Sequence, residues 1–574
     1  MTESGAQDWP QRSWAVAILG ALVGLAVQHL ADGKVDDVLR PALASALMTG
    51  GVAFAFTLDR DRIRLSAAFA SFAALLVGAT VYLNGGLSQL DRGEGWTLLC
   101  AILTVVIAGP LFQGWCDAGQ PKPPRLSSLS YPQVHDRAWM NTLLWFACWL
   151  FSGIVFLLGQ LLAELFSLIG IRLVRTAMEE GWFVAMLMGG AFGAASGLLR
   201  DRESLLITLQ TVVRRVLSVL VPVLGFGLVL FLLALPFTGL GALWEATKST
   251  TPILLSCVVG ALILSNAAIG DSKADAAQVA VLRWGATALG FTMLPLAVIA
   301  AISTGLRIGQ YGLTPERLWA VVFVGIALAF GAGYLWVIIR QRRGWFEGVR
   351  PLNLRLAALL CVLAFLLATP LINFGAWSTR SQLARLDSGQ VSVEKFDWPA
   401  LKFDFGKAGV AALERLSKSG ATPDIRKAAA KALKLDNRWE AQSEQQAISR
   451  ADDVARNIIV KPKPVALPRP VLVLISQFGS CETKGNCAVL YTPGQTEALA
   501  VTKPCEGCSV EVYRFIQAPN GDWSRANDNA PPPGNWAAIK KAESEAIKAG
   551  KVEIRDVRRR QVYVDGKPAG LPFE

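Results

Sequence analysis

The amino-acid sequence is dominated by charge-free apolar windows of about twenty residues, and there are about eleven of them. They run near 13–31, 41–58, 65–84, 95–115, 139–161, 182–199, 216–238, 251–270, 284–306, 318–339 and 354–374. A helix needs about 20 apolar residues to cross a hydrocarbon layer, whereas a membrane strand needs about ten, so windows of this length specify helices. Inside that layer no water satisfies the backbone, and a helix closes its own hydrogen bonds. The expected fold class is an α-helical polytopic membrane protein with about eleven transmembrane helices, followed by a C-terminal soluble α+β region. The first window follows the acidic, polar Met1–Gln11 and lacks a small-residue cleavage site, so it reads as a retained signal anchor.

Charge divides the chain. Residues 1–374 hold 26 Lys/Arg and 21 Asp/Glu, and the much shorter 375–574 hold 30 and 23. The expected organisation is a multi-span domain over 1–374, a helical post-membrane segment over 375–460, a Pro-rich linker over 461–470 and a small module over 471–574. Net charge is +12. No basic stripe interleaved with aromatics accompanies it, so nucleic acid is not an expected partner. The cations instead favour one side of the membrane: alternate loops carry 18 Lys/Arg against 8. Under the positive-inside rule this puts the N-terminus in the cytoplasm, and an odd number of spans puts the C-terminal region in the periplasm.

Five cysteines, Cys100, Cys116, Cys148, Cys257 and Cys361, lie in or beside apolar windows and read as small hydrophobes. The other four, Cys481, Cys487, Cys505 and Cys508, share one soluble stretch. In an oxidising compartment they read as structural disulfides, with three connectivities open. A four-thiolate zinc site and a redox C-x-x-C at Cys505–Cys508 are the alternatives. The first lacks a second tight knuckle, and the second enters a strand-like segment rather than a helix. Helices are expected near Gly406–Ser417, Pro423–Leu435 and Trp536–Lys548. Strands are expected at Val471–Ile475, Ala488–Tyr491, Ala498–Thr502 and Ser509–Ile516, and Asp565–Gly566 supplies a hairpin turn.

Within the membrane windows polar residues are few. Their central parts contain no Asp, Glu, Lys or Arg, which argues against a proton- or sodium-coupled carrier. Asn266 and His29 form the candidate intramembrane polar site; helix-to-helix hydrogen bonding is the plainer role for Asn266, and solvation at an interface for His29. Gly20 and Gly24, and Gly189, Gly193 and Gly197, are spaced four apart, which lets helix backbones approach closely. An acidic first outer loop, Asp32, Asp36 and Asp37, is the one hint of lipid-linked catalysis, but it is too short for a donor site. No nucleotide-binding glycine loop, H-E-x-x-H or G-x-S-x-G with partners occurs. Neither a catalytic residue nor a cofactor or metal site is expected.

The stretch Asn141–Ile171 with its Leu-Phe-Ser-Leu-Ile-Gly-Ile ending, and Ser265-Asn266-Ala267-Ala268-Ile269-Gly270-Asp271, resemble bacterial polytopic inner-membrane proteins grouped as a domain of unknown function. Ser381–Leu386, Phe396-Asp397 and Gly406–Leu416 are similar to the segment after the last span in proteobacterial members. The resemblance covers roughly residues 10–430 and implies location and architecture, with no activity or catalytic residue to carry over. The function expected is a non-catalytic interaction, sensing or assembly component of the bacterial envelope, with the lipid bilayer and envelope proteins as partners. The alternatives are a solute or lipid exporter that uses no ion gradient, or a periplasm-facing enzyme on a lipid-linked substrate.

Overall fold

The computed structural model describes residues 11–32, 38–86, 95–120, 126–246, 250–477, 481, 487–502, 511–526, 560–564 and 567–573. The chain divides into two compact units, Met1–Ala430 and Lys431–Glu574.

The first unit is helical. Its apolar helices are α1 (Gln11–Ala31), α2 (Leu39–Thr57), α3 (Ile63–Leu83), α4 (Gly95–Asp117) and α5 (Tyr131–Leu168). After the short α6 (Leu173–Glu179) come α7 (Gly181–Asp201), α8 (Glu203–Ala246), α9 (Thr250–Ile269), α10 (Ala280–Tyr311), α11 (Pro315–Gln341) and α12 (Trp345–Ala368). Among the described residues, ten stretches are long and apolar enough to cross a membrane. The last, Pro315–Ala368, holds both α11 and α12, which fold back on each other so that Leu352 meets Gly333. With these two counted separately, the apolar helices among the described residues number eleven, in line with the expected count of about eleven. Pro110, Pro222 and Pro236, and Pro295 sit inside α4, α8 and α10.

Helix α10 occupies the centre, with Leu289, Met293, Leu296, Ala297 and Ala300 fully buried among α8, α9 and α11. On the outside the large apolar side chains point away from the protein, among them Leu157, Leu161, Val223 and Phe237. In water such a surface would aggregate; against lipid it is the surface required. The last apolar helix begins nine residues before the expected 354, because Trp345 and Phe346 are buried and hold the first turn in the bundle. It ends before Pro370, and Asn373 then caps α13 (Phe374–Asp387) by accepting from the Ala376 amide at 2.8 Å. Two more helices follow, α14 (Trp398–Phe403) packed on α15 (Gly406–Ser419), and α15 packed beside α13; α16 (Pro423–Leu433) comes next.

The second unit contains α17 (Arg438–Asn457), β1 (Ile459–Lys461), α18 (Arg469–Ser476), β2 (Cys487–Leu490), β3 (Glu497–Thr502), β4 (Glu511–Gln517), β5 (Trp523–Arg525), β6 (Arg560–Val564) and β7 (Lys567–Phe573). Strands β1 to β5 form one sheet in that order, with β1 parallel to β2 and the rest antiparallel; β6 and β7 form a second, two-stranded antiparallel sheet. The expected strand at Val471–Ile475 is instead the helix α18. Pro470 suits a first helical turn, and Val471 and Ile475, one turn apart, are both buried against the core with Val454 and Phe515. Glu497 on β3 accepts from Arg514 at 2.6 Å and from Arg560 at 3.0 and 3.2 Å. Burial raises its carboxyl, but the hydrogen bonds from Arg560 and Arg514 outweigh this and hold it below the usual range. The expected helix at Trp536–Lys548 and the Asp565–Gly566 turn lie outside the described residues.

The closest helix crossing is that of α1 on α7. A Cβ added to Gly20 would stand 2.2 Å from the Gly189 carbonyl oxygen, and one on Gly193 2.2 Å from that of Val16. The backbones touch there, and any side chain forces them apart. Gly20→Ala is expected to cost about 1–3 kcal/mol through overpacking, read as a lower melting temperature in micelles. Gly305→Ala, where nothing lies within 4 Å of the added methyl, is the control expected to melt like the parent.

Candidate functional site

The segment Ser265–Asp271 builds the polar centre of the first unit. Ser265 and Ile269 are completely buried, and Ala267 and Ala268 are small enough for close packing. Helix α9 stops at Ile269 because Gly270 takes φ +61, the left-handed region where glycine escapes the Cβ penalty. The Gly270 amide donates to the Asn266 carbonyl at 3.1 Å and closes the helix end. A Cβ at Gly270 would stand 2.9 Å from an Asp275 carboxylate oxygen, so packing and backbone both select glycine. Asp275 in turn pairs with Arg214 of α8.

Asn266 uses its whole side chain. Its amide donates to the Leu262 carbonyl at 2.8 Å and to the Tyr334 hydroxyl at 3.0 Å, and its oxygen accepts from Asn353 at 2.6 Å. Tyr334 on α11 is fully buried, and Asn353 lies on α12. One turn before Asn353, Arg350 is buried and donates to the carbonyls of Ile269 at 2.8 Å, Gly270 at 3.3 Å and Ser272 at 2.6 Å. A cation at the carbonyl end of a helix satisfies orphaned acceptors and complements the helix dipole. The start of α5 closes the cluster: Tyr131 bonds His135 Nδ1 at 3.0 Å, and Asp136 accepts from Gln210 of α8 at 3.1 Å. Four buried atoms here, His135 Nε2, Asp271 Oδ1, Asn353 Oδ1 and Arg214 Nε, have no hydrogen-bond partner among the described residues. Polar capacity at this point exceeds what the neighbouring side chains use.

This cluster lies at the basic end of the unit. Around it Arg12 pairs with Asp201 at 2.6 Å, Arg62 and Arg137 share Asp117 at 3.2 and 3.1 Å, and Lys273 meets Glu347 at 3.0 Å. The loops that alternate counting assigns to the cation-rich side are thus joined by side-chain contacts. His29 is not part of the cluster: it is exposed on the last turn of α1, at the end away from Arg12. Gly20, Gly24, Gly189 and Gly193 border an apolar groove of about 220 Å3 walled by Trp145, Trp149 and Phe192, which does not include Asn266. Gly197 packs on Ser13. Cys481 and Cys487 form a disulfide with Cα atoms 5.0 Å apart, whereas Cys505 and Cys508 lie outside the described residues. Asp32 accepts from Gln28 at 2.8 Å in an exposed position, and Asp36 and Asp37 lie outside the described residues. Among the described residues no three His, Cys, Asp or Glu side chains group as metal ligands.

Sequence reading singled out Asn266 but not Tyr131, His135, Tyr334, Arg350 or Asn353. The signals were local ones: Tyr131, His135 and Trp139 recur every four residues on one face of α5, and Arg350 and Asn353 are one turn apart on α12.

A bundle of eleven apolar helices with an apolar exterior, tied at one end by buried polar side chains and followed by a small mixed sheet, defines a polytopic α-helical membrane protein. The chain belongs to the family described as Domain of unknown function (DUF4153), which matches residues 42–416. The match opens within α2 and closes within α15, so it takes in the whole polar cluster. None of the curated proteins and none of the solved structures compared with the chain matches it.

Arg350→Met is expected to remove the ligand of three buried carbonyls and to cost about 3 kcal/mol or more. Tyr334→Phe strands one Asn266 hydrogen and is expected to cost about 1–2 kcal/mol. Thermal unfolding in micelles checks both. An Arg350→Met melting temperature above that of Tyr334→Phe contradicts the capping role.

Proposed function

We propose that the chain is an inner-membrane protein of the bacterial envelope whose bundle holds its C-terminal region in the periplasm, where it acts as a non-catalytic interaction, sensing or assembly component. The observation that carries this reading is the disulfide Cys481–Cys487 in a region that follows, among the described residues, eleven apolar helices counted from the basic end when Pro315–Gln341 and Trp345–Ala368 are taken as two. An odd number of crossings exchanges compartments, and disulfides persist outside the cytosol. The polar side chains of the bundle are used to hold helix ends together, which suits an anchor. A carrier would need Asn266 on a polar cavity bordered by glycines. Here Asn266 is committed to Leu262, Tyr334 and Asn353, and the glycine-bordered groove is apolar and elsewhere.

Orientation and role are tested together. In intact spheroplasts, Cys481 and Cys487 are expected to react with a membrane-impermeant maleimide only after reduction; labelling that requires permeabilisation overturns the periplasmic assignment. Deleting residues 431–574 is expected to leave the bundle inserted and to reproduce the phenotype of losing the whole protein. A normal phenotype would move the function into the bundle.

A further inference from the structure

The apolar groove of about 220 Å3 runs between α1, α2, α5 and α7. Its sides follow from contacts among the helices that build it. Helices α1 and α7 form the base, since Gly20 lies against the Gly189 backbone and Gly24 against that of Ala185. On one flank α2 leans on α1, where a Cβ on Gly51 would stand 3.2 Å from the Val23 side chain. On the other α5 leans on α7, with the Trp145 and Trp149 rings edge to face on Phe192 at 5.6 and 5.8 Å. Toward the basic end the flanks close: Phe56 of α2 stacks on Phe192 at 6.2 Å, and Val16, Ala55, Leu144 and Cys148 are buried in one cluster. Away from that end the groove reaches the outside of the bundle, because Met48 on α2 and Trp149 on α5 both line it and are 46 and 43% exposed.

Every side chain that lines the groove among the described residues is apolar or aromatic, so water inside it would lack partners. Left empty, its walls would lose dispersion contacts. Along α1 the groove extends from Val16 to Val27, roughly 17 Å at about 1.5 Å per residue. That is close to the chain depth of one leaflet, about half of a hydrocarbon core about 30 Å thick. A helix, about 10 Å across, is too wide for a groove of about 220 Å3 over that length. We infer that the groove holds one acyl chain of a phospholipid from the leaflet away from the basic end, with its terminal methyl against Val16 and Ala55. The headgroup stays outside, so the site selects chain length rather than head chemistry. Seated there, the chain touches all four helices and fixes how α2 and α5 stand across the base. The inference holds whichever compartment that leaflet faces, so its test is independent of the orientation proposed above.

The test uses the full chain in vesicles of phosphatidylethanolamine and phosphatidylglycerol, with a phosphatidylcholine whose palmitoyl chain ends in a diazirine as photoreactive probe. Val16 and Ala55 are 3 and 6% exposed, so lipid on the outside of the bundle does not reach them. Peptide mapping is expected to find label on these two as well as on the exposed Leu157 and Leu161. Label confined to the outer surface overturns the inference; if the chain then also runs as a dimer, a second copy covers the groove instead. Val52→Phe, between Met48 and Ala55 on α2, is expected to lower labelling of Val16 several-fold by filling the groove and to leave that of Leu157 unchanged. Val223→Phe, on the outer face of α8, is expected to label Val16 as the parent does. Equal labelling of Val16 in the two variants overturns the groove as the route. An octanoyl probe with the same terminal diazirine is expected to leave Val16 unlabelled, and labelling as strong as with the palmitoyl probe overturns the selection for length. A phosphatidylethanolamine probe with the palmitoyl chain is expected to match phosphatidylcholine, and a difference between them overturns the indifference to headgroup. Should Val52→Phe fail to fold, the parent with the long and short probes still decides the site.

Discussion

Every α-helix ends with four carbonyls that its own backbone cannot satisfy. At the rim of a hydrocarbon layer water is scarce, and the bundle answers with side chains borrowed from other helices. At the end of α2, Arg200 reaches the Ala55 carbonyl at 2.9 Å, Gln113 the Phe56 carbonyl at 2.9 Å and Ser66 the Thr57 carbonyl at 2.7 Å. At the end of α9 Arg350 does the same for three carbonyls. At the opposite end of the bundle, α10 finishes on Arg317, Gln382 and Arg385, which bond the carbonyls of Gly312 at 2.7 Å, Tyr311 at 2.9 Å and Gln310 at 2.8 Å. Each such bond fixes how far one helix is advanced along its neighbour, and those from α13 tie the chain after the last span back onto the bundle.

Between the ends the helices are held by shape. The crossing of α1 on α7 rests on backbone contact through Gly20, Gly189 and Gly193, and the core around α10 on Leu289, Met293 and Leu296. Close approach and dispersion act without polar groups, which matches charge-free windows. Polar clusters consequently gather where helices stop. The Asn266 network is the deepest of them, and the chain Asn141 to Gln113 to the Phe56 carbonyl, at 2.8 and 2.9 Å, is another.

The spans and the glycine spacing were legible because each is a local pattern: twenty residues without charge, or glycines four apart. The partners of Asn266 were not, since Tyr334 and Asn353 lie on other helices, 68 and 87 residues away. Arg350 reads in sequence as a loop cation setting orientation, because a charge before an apolar window looks the same whether it faces water or caps a helix. Val471–Ile475 misled in a different way. Its β-branched residues suit a strand, but the burial of Val471 and Ile475 one turn apart made the helix the better solution.

That double life of arginine bears on the cation asymmetry itself. If capping alone had placed arginines at one end, the count of 18 against 8 would say nothing of orientation. Capping, however, occurs at both ends: Arg200 and Arg350 serve one, Arg317 the other. Taking these three out of the two counts leaves 16 against 7, still more than twofold. The demand for helix-end partners is symmetric and the surplus of cations is not. The surplus therefore needs a second cause, and the proposed orientation supplies one, because short loops rich in positive charge are retained on the cytoplasmic side.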